Sequence, residues 1–148
     1  MKFISKTEAQ NWCKSKGIPL DERNLPQIDK NKLGSFKIPK DSGQKIAMAR
    51  GHFEHFRSEK EILIWITEWG IWPSSERMHI FERLRTSYGE KRNLKEAPGN
   101  IFNQAEFEDA LSLLTLATIF FWDCYVLNGK GDKMIFYSHD EYGLIKNV

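Results

Sequence analysis

Hydrophobic and polar positions alternate with a helical period at the start of the chain. Apolar residues recur every three or four positions before Gly17, which is a helix stop. Ser5 and Glu8 have the spacing of a capping box, in which each side chain accepts a hydrogen bond from the other's backbone N–H. The pattern predicts a first helix over 6–16.

The period then changes to that of a β-strand. Apolar residues alternate with polar ones around Phe36 and again around Ile46, and the turn residues Asp41-Ser42-Gly43 lie between the two stretches. Alternation on both sides of a turn is typical of two paired antiparallel strands. This segment predicts a β-hairpin over 35–50.

The strongest strand pattern lies over 61–69, where β-branched and aromatic residues dominate. Its inner part, Ile62 to Ile66, is apolar at every position, which indicates a strand covered on both faces. A second strand is expected over 133–138, and Phe3-Ile4 is a candidate further strand.

Two more helices are predicted, over 75–88 and 105–127. The helix over 105–127 is apolar almost all round and is expected to lie in the core. The residues between 90 and 103 have the composition of a loop. The predicted fold is a single α+β domain spanning 1–148, with a mainly antiparallel sheet of three to five strands packed against three helices.

Charge is unevenly distributed although the net charge is only +2. Residues 1–60 contain six more Lys and Arg than Asp and Glu, whereas residues 61–148 contain four fewer. The N-terminal lysines are scattered singly, unlike those of a nucleic-acid binder, so no nucleic-acid partner is expected. The acidic C-terminal part favours a basic protein partner.

Cysteine usage and hydropathy predict a soluble cytoplasmic protein. Two cysteines, Cys13 and Cys124, are too far apart in sequence for a disulfide scaffold. The N-terminus has no apolar core of a signal peptide, and the apolar stretch over 110–127 is too polar for a membrane span. No cofactor is expected, and the sequence leaves the oligomeric state open.

The segment from His52 to His55 is a candidate metal-binding pair. Two imidazoles three residues apart can share a helical face, but zinc sites have at least three protein ligands. The alternative is a polar turn, and the sequence favours it, so no metal is expected.

The densest cluster of ionisable residues follows the predicted strand over 133–138. In it, Asp140 or Glu141 can accept a proton, and His139 can transfer one. These residues, with Glu68, are candidate catalytic groups. The alternative is a local turn in which Asp140 caps the backbone and Tyr142 packs inward.

Carboxylates and indoles lie close together in sequence after the strand over 61–69. Glu68 and Glu76, beside Trp69 and Trp72, have the residue types of a sugar-cleaving cleft. The alternative is that the two tryptophans close the core. Trp69, Trp72, Asp140, Glu141 and Tyr142 are the residues expected to contact a binding partner.

Several segments together resemble a family of uncharacterised bacterial proteins. They are Trp65-Ile-Thr-Glu-Trp-Gly-Ile-Trp-Pro-Ser-Ser-Glu76, Glu96-Ala-Pro-Gly99, Phe121-Trp-Asp-Cys-Tyr125 and Phe136-Tyr-Ser-His-Asp-Glu-Tyr142. The resemblance covers residues 60–142 and implies a bacterial origin and a small cytoplasmic domain. It implies no activity and no catalytic residue.

Two function hypotheses follow. The first is a non-enzymatic protein-binding domain, of the type represented by bacterial immunity proteins that neutralise toxins, and the sequence favours it. The second is a small hydrolase or metal-dependent enzyme. It would use His139, Asp140 and Glu141 with Glu68 or with one of His52, His55 and His79.

Overall fold

One antiparallel sheet of seven strands organises the chain. The computed structural model describes residues 1–28, 33–70, 78–120 and 122–148. Within them the sheet has the order β1-β4-β3-β5-β6-β7-β2, with every neighbouring pair antiparallel. The described elements are β1 (Lys2–Ile4), α1 (Lys6–Ser15), β2 (Gly34–Lys37), α2 (Ser42–Phe53), β3 (Glu61–Glu68), α3 (Met78–Ser87), β4 (Gly99–Asn103), α4 (Phe107–Ile119), β5 (Asp123–Asn128), β6 (Met134–Tyr137) and β7 (Tyr142–Lys146).

The two faces of the sheet carry separate apolar clusters. Ile62, Ile64 and Ile66 of β3 point to one face, where residues of α2, α3 and α4 cover them. We call this the three-helix face. Leu63 and Trp65 point to the opposite face, where they pack with residues of α1. We call this the α1 face. Burial of β3 on both faces confirms the expectation drawn from its continuous apolar run.

The first helix, the N-terminal strand β1 and the strand β6 confirm their predictions. Ser5 and Glu8 form the predicted capping box, and Gly17 ends the helix region at a φ of 68°. β1 contains Phe3 and Ile4, and β6 lies within the strand predicted over 133–138. The α+β class is also confirmed, with more strands and one more α-helix in the described residues than the sequence indicated.

The predicted hairpin over 35–50 is wrong in its second half. Only Gly34–Lys37 is a strand, and Ser42–Phe53 is helix α2. The side chain of Asp41 accepts a hydrogen bond from the N–H of Gln44 at 2.8 Å, so the apparent turn is a helix N-cap. Asp, Ser and Gly favour turns and helix starts alike, and the local sequence did not separate the two.

The predicted helix over 105–127 is also wrong in its second half. Helix α4 ends at Ile119, and Asp123–Asn128 is the strand β5 between β3 and β6. A continuous apolar run suits a buried helix and a buried strand equally, which explains the error. Cys124 therefore lies in a strand, where it is fully buried.

Two further strands are absent from the prediction. Residues Gly99–Asn103, expected to be loop, form β4, and Tyr142–Lys146, for which the sequence predicted no strand, form β7. Gly99 lies where a Cβ atom would be 2.7 Å from the Ile4 side chain, so this glycine allows close strand packing. Of the helix predicted over 75–88, Met78–Ser87 is helical, and residues 75–77 lie outside the described part.

Candidate functional site

An acidic cleft of about 480 Å³ opens on the α1 face of the sheet. It lies where β3 ends, β5 begins and the β6–β7 turn crosses between strands. Among the described residues, the acidic, basic and histidine side chains in its wall come from four separate segments: Asp21, Arg23, Glu68, Asp123, His139 and Asp140. The fold therefore assembles a site that is not contiguous in sequence.

A β-bulge directs Glu68 into the cleft. The pairing of β3 with β5 runs regularly to Ile66 and Cys124, and then Glu68 pairs with Asp123, with an extra residue in β3. Strict alternation would place Glu68 on the same face as Ile66, the three-helix face. The extra residue moves Glu68 to the α1 face and sends Trp69 to the three-helix face, where it packs against the core.

Asp123 fixes the position of His139. Its Oδ1 atom accepts a hydrogen bond from the backbone N–H of His139 at 2.6 Å and lies 2.8 Å from Nδ1 of the same residue. The Asp123 side chain is only 13% exposed, so its carboxylate interacts in a partly desolvated setting. One carboxylate oxygen thus orients both the backbone and the ring of His139.

Two more carboxylates face the His139 ring from different sides. Glu68 Oε2 lies 3.8 Å from Nδ1, and Asp140 Oδ1 lies 3.5 Å from Nε2. Burial disfavours the imidazolium, but the hydrogen bond and charge of Asp123 outweigh it. Together with the charges of Asp140 and Glu68, they raise the pKa of His139 above its ordinary value.

The β6–β7 turn places His139 and Asp140 at the mouth of the cleft. Ser138 is buried, its N–H donates to the carbonyl of Tyr142 at 2.9 Å, and its hydroxyl accepts from the N–H of Asp140 at 3.2 Å. Glu141 has a φ of 65°, a left-handed conformation that is uncommon for a residue with a side chain. The turn is therefore a closed hairpin loop that joins β6 to β7.

Aromatic side chains form the apolar wall of the cleft. The rings of Tyr125 and Phe136 lie 4.6 Å apart between centroids, and Phe136 meets Tyr142 edge to face at 6.4 Å. Tyr142 is 37% exposed, so part of its ring is accessible at the cleft mouth. Across the opening, Arg23 bonds the Asp21 carboxylate through two nitrogen atoms at 3.1 and 3.2 Å.

The structure brings together three of the proposed catalytic residues, His139, Asp140 and Glu68. Glu141 instead approaches Lys40, with Oε1 3.7 Å from Nζ. Among the proposed binding residues, Asp140 and Tyr142 line the cleft, and Trp69 packs against the opposite core. Trp72 and Glu76 lie outside the described residues.

The other histidines lie away from the cleft. His52 Nδ1 is 3.2 Å from the Tyr137 hydroxyl, and its ring meets Phe36 edge to face at 4.5 Å. Burial, reinforced by the nearby His55, lowers the pKa of His52. His55 and His79 are exposed. His52 and His55 do not belong to any metal-ligand cluster among the described residues.

Sequence reasoning missed Asp123 as a site residue. The error follows from assigning it to a helix, because only the strand β5 places its carboxylate beside Glu68 and His139. A sequence signal was present. The predicted helix was longer than the helices typical of small domains, and Cys-Tyr-Val-Leu after Asp123 favours a strand.

Fold and site together define an α+β domain with an acidic cleft at one end of its sheet. No family model matches the chain, and no curated protein or solved structure is similar to it. The resemblance to an uncharacterised bacterial family stays a prediction. Among the described residues, no helix has the length and apolar character needed to cross a membrane.

Proposed function

We propose that this chain is a bacterial protein-binding domain, acting in the cytoplasm, whose acidic cleft receives a basic side chain of its partner. The observation that carries the proposal is the concentration of carboxylates in one concave site. Among the residues that the structure describes, four carboxylates line the cleft, with a single guanidinium among them. A toxin-neutralising role of the immunity type is the biological form of this function that we favour.

The carboxylates differ in how strongly other protein groups engage them. Asp21 is held by Arg23, and Asp123 is held by His139. Glu68 and Asp140 have exposed side chains, at 54% and 66%, and lie within 4 Å of the His139 ring. Those two carboxylates therefore remain accessible to a cation that enters from solvent.

The apolar wall suits an arginine or lysine side chain. A long basic side chain has an aliphatic stem that packs on rings, and its charged end can bond carboxylates. In the cleft, Phe136 and Tyr142 form the wall and Glu68 and Asp140 supply the charge. Charge complementarity of this kind raises the association rate and makes binding sensitive to salt.

A pull-down from the source cell tests the proposal. The baits are the wild-type chain and the double variant Glu68→Gln/Asp140→Asn, which removes two negative charges from the cleft. We expect the wild type to retain one basic protein at a one-to-one ratio at low salt, and to release it as salt is raised. The double variant is expected to retain none.

A matched control removes two charges elsewhere. Glu54 and Glu108 are exposed carboxylates that pair with Arg57 on the three-helix side, so Glu54→Gln/Glu108→Gln changes net charge equally. This control is expected to retain the partner. Recovery of no stoichiometric partner at low salt contradicts the proposal, and so does equal retention by the cleft variant.

A second candidate function is a small hydrolase, which the Asp123–His139 pair favours. An imidazole oriented by a carboxylate at 2.8 Å is the arrangement of a general acid–base group. A panel of chromogenic ester, phosphodiester and peptide substrates tests it. Turnover that is lost in His139→Gln and kept in His52→Gln supports the hydrolase, and no turnover above background on the whole panel contradicts it.

A further inference from the structure

We propose that Glu68, Asp123 and His139 form a binding site for one Zn²⁺ ion at the base of the acidic cleft. The three side chains come from the end of β3, the start of β5 and the β6–β7 turn. One ligand atom from each lies within 4.8 Å of the other two. This inference goes beyond the proposed partner binding, because neither partner recognition nor general acid–base chemistry requires a metal, and Zn²⁺ would compete with a basic side chain for Glu68.

The spacing of the donor atoms fits a shared small cation. Zinc lies about 2.0–2.2 Å from nitrogen and carboxylate ligands, so two of its tetrahedral ligands lie about 3.3–3.6 Å apart. Asp123 Oδ1 and His139 Nδ1 are 2.8 Å apart in a hydrogen bond that a zinc ion between them would replace, and Glu68 Oε2 is 3.8 Å from the same nitrogen. Glu68 and Asp123 present ligand atoms within 4.8 Å of each other, and the Glu68 side chain is exposed and free to rotate.

The orientation of the imidazole adds an independent feature. Nδ1 faces the two ligand carboxylates, whereas Nε2 faces Asp140, with Oδ1 at 3.5 Å. A histidine that binds metal through one nitrogen usually donates the other N–H to a carboxylate, which fixes its tautomer. Asp140 occupies that position. It is a positioning residue in this account, because it acts through His139.

The mixture of donors favours zinc over magnesium or calcium. Magnesium and calcium prefer oxygen ligands, whereas imidazole is a common ligand of zinc. Three protein ligands leave the fourth tetrahedral position for water or another ligand. Here that position opens into the cleft of about 480 Å³. The geometry is therefore that of an open zinc site rather than a closed structural one.

Titration calorimetry of the purified, chelator-treated full chain with ZnCl₂ tests the site, with MgCl₂ as the comparison metal. We expect one Zn²⁺ per chain at micromolar Kd and no comparable binding of Mg²⁺. Glu68→Gln is expected to weaken Zn²⁺ binding at least about tenfold, because loss of a direct ligand should cost no less than loss of a carboxylate that only orients one. Asp140→Asn is expected to weaken it about tenfold, as for other carboxylates that orient a ligand histidine.

Two surface-histidine variants control for adventitious zinc. His55→Gln and His79→Gln remove exposed imidazoles outside the cleft and are expected to bind Zn²⁺ like the wild type. Glu68 is exposed, so its variant reports on the ligand without depending on a buried substitution. Absence of Zn²⁺ binding overturns the proposal, and so does binding that Glu68→Gln leaves unchanged or that Mg²⁺ matches.

Nitrogen NMR of the histidine side chains supplies a second readout. Addition of Zn²⁺ is expected to shift the Nδ1 resonance of His139 and to leave those of His52 unchanged. A shift confined to another histidine contradicts the site. Both measurements use the chain without its partner, so failure here leaves the partner proposal intact, and failure of the pull-down leaves the zinc site intact.

Discussion

The two faces of the sheet use the same strands for different purposes. On the three-helix face, residues of α2, α3 and α4 cover the strands, and the cluster contains rings such as Phe53, Phe102 and Trp122 with at most 1% exposure. On the α1 face, the cover consists of α1 and residues 17–28, and the acidic cleft lies at one end of it.

The difference between the two faces shows where a small domain can place charged side chains. Alternating residues of one strand serve the two faces, so β5 supplies Cys124 and Val126 to the dry core and Asp123 and Tyr125 to the cleft. Charged groups collect where the cover of the sheet ends, because there they retain contact with water. We infer that the three-helix face supplies stability and the α1 face supplies recognition.

Large-to-small substitutions at two phenylalanines give the largest expected difference. Phe102 is fully buried on the three-helix face, whereas Phe136 is 7% exposed and lines the cleft. Phe102→Ala is expected to lower the free energy of unfolding by about 3–5 kcal/mol, because it leaves a dry cavity. Phe136→Ala is expected to cost less, since polar groups of the cleft can hold water in the vacated space.

Urea denaturation of both variants provides the measurement. If both variants lose the same free energy of unfolding, or if Phe136→Ala loses more, the proposed difference between a dry face and a hydrated face is wrong.

Replacement of a buried charge on the three-helix side is expected to stabilise the protein, by less than the phenylalanine substitutions destabilise it. Arg85 is 1% exposed; its Nη2 donates to the carbonyl of Arg92 at 3.4 Å, and within the described ranges its Nε and Nη1 atoms have no hydrogen-bond partner. It lies over the Phe3 ring at 4.9 Å, and burial lowers its pKa, an effect that nearby Glu90 and Glu82 partly oppose. Arg85→Met is expected to raise the free energy of unfolding by about 1 kcal/mol, because it removes a buried charge that forms no ion pair with a carboxylate of the described residues.

Arg92→Met is the matched control. Arg92 bonds the buried carboxylate of Glu90 at 2.8 Å and donates to the carbonyl of Phe3 at 3.0 Å. Its loss leaves Glu90 without this partner, so stability is expected to fall by about 1–3 kcal/mol. The free energy of unfolding of both variants is measured by thermal or urea unfolding. A decrease in both variants contradicts the interpretation of Arg85 as a destabilising residue.

The smallest expected difference between the two faces is in the pKa values of two histidines, His52 on the three-helix face and His139 on the α1 face. Burial lowers the pKa of His52 below its ordinary 6.5, and carboxylates raise the pKa of His139 above that value. His52 therefore binds a proton more readily in the unfolded chain, and stability is expected to decline as pH falls below 6.5. His139 behaves oppositely: its contribution is complete below 6.5 and is lost as pH rises through its folded pKa.

NMR titration of the ring protons measures both pKa values in metal-free protein. The expected order is His52 below 6.5 and His139 above it. The reverse order, or two ordinary values, shows that the faces do not differ electrostatically at these positions.

The sequence predicted elements well where a single local signal dominated. The capping box at Ser5 and the β-branched run of β3 have few competing interpretations. The prediction was wrong at Asp41, because aspartate is common both in turns and at helix N-caps. It was also wrong at Asp123, which begins a strand but lies within a long apolar run that was predicted to be helix. In each case the tertiary neighbours decide the local structure, and the sequence does not show them.

The candidate site was only partly predictable for the same reason. The residue types of His139, Asp140 and Glu68 predict acid–base groups, and the structure brings these three side chains together. Strand pairing between β3 and β5 adds Asp123, and the bulge in β3 determines that Glu68 rather than Trp69 faces the cleft. A bulge depends on the partner strand, so alternation along one strand does not reveal it.

The dissociation constant of the chain for its isolated partner tests the central claim most directly, when it is compared between wild type and Glu68→Gln/Asp140→Asn. The account predicts binding at least about a hundredfold weaker for the variant, in keeping with the loss of two charge-assisted bonds, and nearly unchanged stability, since both side chains are exposed. An unchanged dissociation constant would show that the partner binds elsewhere, and would contradict the assignment of recognition to the cleft.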